Sequence, residues 1–161
     1  LALPALLLIA PAGFALDQDR KEPIHIQADA AVIDEKSGVS TYTGNVTVNQ
    51  GSLRIAADEV RIHSIEKEVT EIVATSIDGS DHLAHYEQLP EESDLIVAVA
   101  RTITYFVKDE RLRLVGDAQL NQTEKKSFAG EVINYEAQNG LVKAESNGVG
   151  RVETIFIPGK K

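Results

Sequence analysis

The chain has 161 residues, 43% apolar and 25% charged, enough for one buried core and too apolar to be expected to stay disordered. Acidic residues outnumber basic ones, 25 to 16, for a formal net charge of -9, a field that repels nucleic-acid backbones and anionic membrane surfaces. Cysteine is absent, which removes thiol catalysis, zinc–thiolate sites and disulfides.

The first element in chain order is an apolar run from Leu1 to Ala10, followed by Pro11-Ala-Gly-Phe-Ala15 and the charged stretch Asp17 to Glu22. Methionine is absent throughout. Gly13 and Ala15 occupy the small-residue positions that precede a signal-peptidase cut. Residues 1–15 therefore read as a secretory signal peptide without its start, cleaved after Ala15, with a single domain over 16–161. A membrane anchor is the competing reading. Spanning takes about 20 apolar residues, and this shorter run is interrupted by Pro4 and Pro11.

Beyond the leader, apolar and polar residues alternate with the period of half-buried strands. Ile24 to Ala28 alternates, as does Tyr42 to Val48, with Tyr42, Val46 and Val48 on one face. Leu53-Arg-Ile55 continues the pattern. Ala56 to Ser76 is ambiguous: its Ala, Glu and Lys content favours a helix by local propensity. Val60-Arg-Ile62 and the β-branched stretch Val69 to Thr75 instead favour two strands joined near Ser64 to Lys67. Ile96 to Val107 is apolar or β-branched on both faces, as expected of a central strand, and Arg111 to Leu120 alternates again. Turn signals fall at Asp34 to Gly38, Asn49 to Gly51, Asp78 to Asp81, Lys108 to Arg111, Gln138 to Gly140 and Asn147-Gly148. Glu87 to Asp94, with Pro90, reads as a longer loop. Short strands and frequent tight turns predict an all-β, antiparallel fold.

A repeat settles the ambiguous segment in favour of strands. Gly44-Asn-Val-Thr-Val-Asn-Gln50 recurs as Gly116-Asp-Ala-Gln-Leu-Asn-Gln122, 72 residues later. At the same offset Ala57-Asp-Glu-Val60 matches Ala129-Gly-Glu-Val132. Two related sheet halves are expected. In each, the pair Gly44-Asn45 or Gly116-Asp117 permits a bulge or sharp bend. The alternation that follows sets Val46, Val48, Ala118 and Leu120 on one face.

Ile24-His-Ile26, Asp29, Tyr42-Thr-Gly-Asn-Val46, Gln50-Gly51, Ile55 and Ala57-Asp58, in this order and spacing, resemble the OstA-like family of lipopolysaccharide-transport proteins. The second half does so through Tyr105, Gly116-Asp-Ala118, Leu120, Gln122 and the ending Arg151 to Pro158. Asp117 departs from the usual Asn, and Asp78 to Asp94 matches poorly. The resemblance implies an open, taco-shaped β jelly roll that shields the acyl chains of lipopolysaccharide in an apolar groove. It implies a periplasmic protein of a Gram-negative bacterium, joined head to tail through edge strands. Its implied partners are lipid A and inner-membrane LptC-like and outer-membrane LptD-like jelly-roll domains, with no cofactor. A membrane-anchored, LptC-like docking relative of the same fold is the alternative, and it depends on an uncleaved leader. The ligand-facing positions it carries over are Ile24, Ile26, Tyr105 and Val107, with Tyr86 in the poorly matching region. By residue pattern alone these side chains would simply fill a closed core; the resemblance makes them a lining.

No catalytic site is expected. Asp81-His82-x-x-His85 has metal-ligand spacing but sits in a predicted loop without a third ligand. His25 is expected to face outward. The carboxylate pairs Glu91-Glu92 and Asp109-Glu110 fall in predicted turns, as solvated charge does, and no nucleophile or phosphate-cradling motif occurs.

Overall fold

Alternating side chains commit most of the chain to strand, and the glycine-containing pairs decide where the strands bend. A computed structural model describes residues 19–90 and 94–159; the leader and the Glu91-Glu92 pair lie outside the described residues. Among the described residues, a 3-10 turn at Asp19–Lys21 is followed by twelve strands: β1 (His25–Gln27), β2 (Ala30–Asp34), β3 (Val39–Gln50), β4 (Leu53–Ile65), β5 (Glu68–Thr75), β6 (Ala84–Gln88), β7 (Ile96–Ala100), β8 (Thr102–Phe106), β9 (Arg111–Gln122), β10 (Lys126–Glu136), β11 (Leu141–Glu145) and β12 (Glu153–Phe156). All pair antiparallel in one continuous sheet.

The long strands β3, β4, β9 and β10 each take part in two layers. β3 pairs with β4 on both sides of Gly44-Asn45, with a register shift between Thr43 and Val46. Its first half carries β2 on the outer side and its second half carries β1. β4 likewise carries β6 and then β5, β9 carries β8 and then β7, and β10 carries β12 and then β11. One layer therefore runs β1-β3-β4-β6-β7-β9-β10-β12, the other β2-β3-β4-β5-β8-β9-β10-β11. We call them layer I and layer II. The inner faces meet in one apolar cluster, with Val46, Val48 and Leu120 from layer I and Val60, Leu114 and Ile133 from layer II all buried.

The bend between layers is built from left-handed backbone. Gly44 and Asn45 have φ of 81° and 46°, Gly116 and Asp117 of 83° and 48°. Asn and Asp adopt this region at lower cost than most side chains. Each corner is tied by a residue from a neighbouring connection. The Asp29 N–H donates to the Gly44 carbonyl at 2.9 Å and its carboxylate accepts from Asn45 Nδ2 at 3.1 Å. At the other corner the Arg101 N–H donates to the Gly116 carbonyl at 2.8 Å and Arg101 Nε to Asp117 at 3.0 Å.

The 72-residue offset thus carries β3 onto β9 and also Asp29 onto Arg101, β1 onto β7 and β2 onto β8. The second matched block does not keep it. Tyr42 pairs with Val60, whereas Leu114 pairs with Ile133, so Ile133, not Val132, is the counterpart of Val60. The cause is local: β3 turns into β4 through Gly51-Ser52, while β9 reaches β10 through Thr123–Lys125, one residue longer.

Ala56 to Ser76 forms strands, with β4 turning into β5 at Glu66 and Lys67, whose φ values of 52° and 69° suit a tight hairpin turn. The expected single strand from Ile96 to Val107 is two. Arg101 breaks it, donating its N–H to Gly116 and accepting from the Ser76 N–H at 2.8 Å, so β7 stays in layer I while β8 enters layer II. Burial changes parity there, from Ile96, Ala98 and Ala100 to Ile103 and Tyr105.

Candidate functional site

The residues expected to line a groove fall on the inner faces of both layers. Ile24 and Ile26 pack half-buried against the core at the β1 end, and His25 between them is exposed. Tyr86 on β6 and Tyr105 on β8 are buried, and Val107, in the turn after β8, packs half-buried against the same cluster. Ile24 shares the inner face with Ile26, and Tyr105 with Val107, as their alternation along the chain predicts. At the β11 end the cluster finishes in half-buried Phe128, Val142 and Ala144. An apolar interior thus runs the length of the sheet, with partly exposed apolar residues at each end.

The opening between the layers lies opposite the corners, along two rims of turns. Layer I supplies Gly51-Ser52 and the chain around Gln88 to Pro90; layer II supplies Val107 to Glu110 and the β10–β11 turn. Under this mouth Tyr86, Tyr105, Leu112 and Tyr135 surround a cavity of only about 10 Å³. That is room for about one water. The interior is shut here, and no acyl chain fits without the layers parting.

Links between the layers close it. The Tyr86 and Tyr105 rings, one from each layer, lie 5.6 Å apart between centroids and are tilted by 58°. The Tyr86 hydroxyl donates to Gln88 Oε1 at 2.6 Å, and Gln88 Nε2 donates to Asp19 at 3.3 Å. Asp19 also accepts from the Ser52 N–H at 3.0 Å and the Ser52 hydroxyl at 2.5 Å. The next residue, Arg20, reaches the opposite rim, donating to the Val107 carbonyl at 2.6 Å and to Glu110 at 2.7 Å.

These surroundings set the ionisation of the groups. Burial pushes the Tyr86 phenol well above its ordinary value, with the neighbouring Tyr105 and Tyr135 and the charges of Asp19 and Glu110 adding to it. Tyr105 is raised by burial, which outweighs the nearby Arg20 guanidinium. Tyr135 is raised by burial against a hydrogen bond with Gln122. For Asp19, burial raises the carboxyl, but the Ser52 and Gln88 hydrogen bonds and the Arg54 charge together hold it below the usual value.

Sequence reasoning passed over Asp19, Arg20, Gln88 and Glu110. Gln88 had a signal: it continues the inward parity of Ala84 and Tyr86, so a polar residue was due inside. Asp19 and Arg20 had none, reading only as charge after a leader. Glu110, set aside as solvated turn charge, is a mostly buried ion-pair partner with 11% of its side chain exposed. His85 stands on β6, not in a loop, 3.5 Å from Glu87, while His82 is exposed.

Fold and site together define an open-edged, two-layer jelly roll around an apolar interior. Residues 25–141 match the family model described as LptA/(LptD N-terminal domain) LPS transport protein, and the chain belongs to that family. It is 39% identical over 133 residues to the lipopolysaccharide export system protein LptH of Pseudomonas aeruginosa, covering 82% of this chain and 73% of that one. It is 32% identical over 163 residues to the lipopolysaccharide export system protein LptA of Haemophilus influenzae, covering 98% and 90%. The crystal structure of P. aeruginosa LptH, titled as the LptA-homologous periplasmic component of the lipopolysaccharide transport device, superposes with a TM-score of 0.76 at 32% identity. The superposition covers 88% of this chain and 99% of that one. These relatives are transport proteins, and they are named as LptA and LptH rather than as an anchored inner-membrane relative.

Proposed function

We propose that this chain is a periplasmic lipopolysaccharide carrier, not an enzyme, that holds acyl chains between its layers and bridges inner- and outer-membrane transport complexes. The observation that carries the reading is the apolar interior, with its cluster reaching from Ile24 and Ile26 to Phe128 and Val142, inside a fold shared with export proteins. Each buried CH₂ is worth roughly 0.8 kcal/mol, so a multi-chain lipid does not cross water at a useful rate. An interior that looks alike along its length lets the lipid move without that barrier. Photo-crosslinkers at Ile26 and Tyr105 should capture lipopolysaccharide in cells, and one at His25 should not. Equal capture at all three would sink the groove.

Head-to-tail association is part of the same reading, and the internal repeat supplies its geometry. Within the chain, the first half ends in β5 and β6, on which the second half's β8 and β7 pair. β11 and β12 occupy the corresponding positions at the end of the second half, and β1 and β2 are the counterparts of β7 and β8. A second copy, or a jelly-roll domain of LptC-like or LptD-like type, would repeat the internal junction. Carrying over the Tyr86–Ala98 pairing sets Thr154 opposite Ile26 of the next copy. The edges are apolar: Val32 and Ile33 are 69% and 62% exposed on β2, and Phe156 is 62% exposed on β12. Unpaired apolar edges favour strand addition.

A further inference from the structure

We propose that the Asp19–Lys21 turn is a latch, holding the two layers closed over the tyrosine-lined interior until it is released for lipid to enter through the mouth. The ligand rests on the carrier reading; the geometry of the latch does not.

The turn touches both rims. On the layer I side Asp19 accepts from Ser52 and Gln88, and Gln50 Nε2 donates to the Arg20 and Glu22 carbonyls at 3.3 and 3.1 Å. On the layer II side Arg20 grips the Val107 carbonyl and the Glu110 carboxylate in the β8–β9 turn. Two adjacent residues of opposite charge thus hold opposite rims. Glu110 is at φ 49°, a left-handed conformation unusual for Glu, and its backbone carbonyl is fixed by the Ala137 N–H at 3.0 Å. An unusual backbone held firmly in place points to a role for the side chain it carries.

The latch lies directly over the small cavity beneath the mouth. Arg20 bonds Glu110, and Asp19 bonds Gln88; Gln88 and Glu110 both line the small cavity with Tyr86 and Tyr105. The turn buries no residue of its own, so it can lift without dismantling the core, as elements with few apolar contacts do. Closing by charge-assisted hydrogen bonds and opening without a cavity cost are what a reversible latch needs.

The chain has no cysteine, so a double variant, Arg20→Cys with Glu110→Cys, can be bridged across the mouth by a reducible bis-thiol reagent. The bridged protein should take up no fluorescent lipopolysaccharide from micelles, and reduction should restore uptake. Arg20→Ala should load about tenfold faster, the population shift expected on losing charge-assisted hydrogen bonds of ordinary strength, and Arg20→Lys should stay near the parent. Uptake by the bridged form at the reduced rate, or an unchanged rate in folded Arg20→Ala, would overturn the latch. Spin labels at Leu89 and Lys108, one on each rim, read the mouth without any ligand. A longer separation in Arg20→Ala supports the latch, and an unchanged one overturns it. Failure of every form to load, with the rims still parting in Arg20→Ala, would sink the carrier reading and leave the latch standing.

Discussion

The rings of Tyr86 and Tyr105 meet across the interior, 5.6 Å apart between centroids, although their strands belong to different layers. Ile72 pairs with Tyr105 in layer II, and Ile55 with Tyr86 in layer I. The contact therefore works as a clasp between layers as well as a part of the core. Truncating either ring removes core volume and cross-layer contact together. Tyr86→Ala and Tyr105→Ala should each cost about 3–5 kcal/mol in denaturant unfolding, as large-to-small core changes do. A cost below about 1 kcal/mol would mean that the rings are not packed as described.

Gln88 is polar in an apolar setting, and its two partners explain it. Gln88→Leu should cost about 1–3 kcal/mol, because the buried Tyr86 hydroxyl loses its acceptor. The double variant with Tyr86→Phe should recover most of that loss, since no buried donor is then left unpaired. Urea titrations of the two single variants and the double variant test this as a cycle.

The corners can be probed at their glycines. A Cβ at Gly116 would stand 3.0 Å from the Arg101 Cβ, and one at Gly44 would run into the Asp29 carboxylate. Both positions also have the left-handed φ that L side chains resist. Gly44→Ala and Gly116→Ala should each destabilise the fold by about 1–2 kcal/mol, with Gly44→Ala the costlier. Thermal unfolding that leaves either variant unchanged would contradict a corner built on left-handed backbone.

Stability should fall at both ends of the pH range. The three phenols are raised above their ordinary 10.0 in the fold. The folded chain therefore keeps protons that the unfolded chain loses, and this contribution is whole below about pH 10 and is lost as pH rises through the raised values. Asp19 is lowered from 3.8. Its contribution is present above that value and is lost as pH falls through the lowered one, in a setting shared with Arg20, Arg54, Glu110 and Tyr86. Tyr86→Phe should flatten the alkaline limb and Asp19→Asn the acid limb of a plot of unfolding midpoint against pH. Limbs unchanged in these variants would assign the dependence to other groups.

Assembly can be separated from folding at β12. The Ile157 N–H donates inward to Lys125 at 2.9 Å, so by antiparallel alternation the N–H of Ile155 also faces β10 while that of Thr154 faces outward. Thr154→Pro should abolish a rise of apparent mass with concentration in light scattering and leave the unfolding midpoint nearly unchanged. Proline at Ile155 should disturb the fold as well. A parent chain that stays monomeric at every concentration would refute self-association while leaving lipid carriage intact.

Most of the strands were legible because alternation is a local property. Ile24 and Ile26 face the interior and His25 faces out, as period-2 parity requires. The Gly44 and Gly116 corners were legible from the repeat, since left-handed backbone selects Gly, Asn and Asp. The match of Val60 with Val132 misled because a single extra residue in a turn, invisible to matched motifs, moves the counterpart of Val60 to Ile133. Ile96 to Val107 misled because its break at Arg101 is made by bonds to Gly116 and Ser76, which no local pattern records.

The sequence by itself determined the all-β class, the repeat, the shared faces of Ile24 with Ile26 and of Tyr105 with Val107, and the family resemblance, because each is written in spacing along the chain. Only the tertiary structure decided that the sheet closes into two layers with the interior shut beneath Tyr86 and Tyr105. It alone decided that Asp19 and Arg20 span the mouth, since their partners stand 33 and 90 residues away along the chain. Contacts at that separation depend on how the corners fold the sheet, a property of the whole chain that no short segment carries.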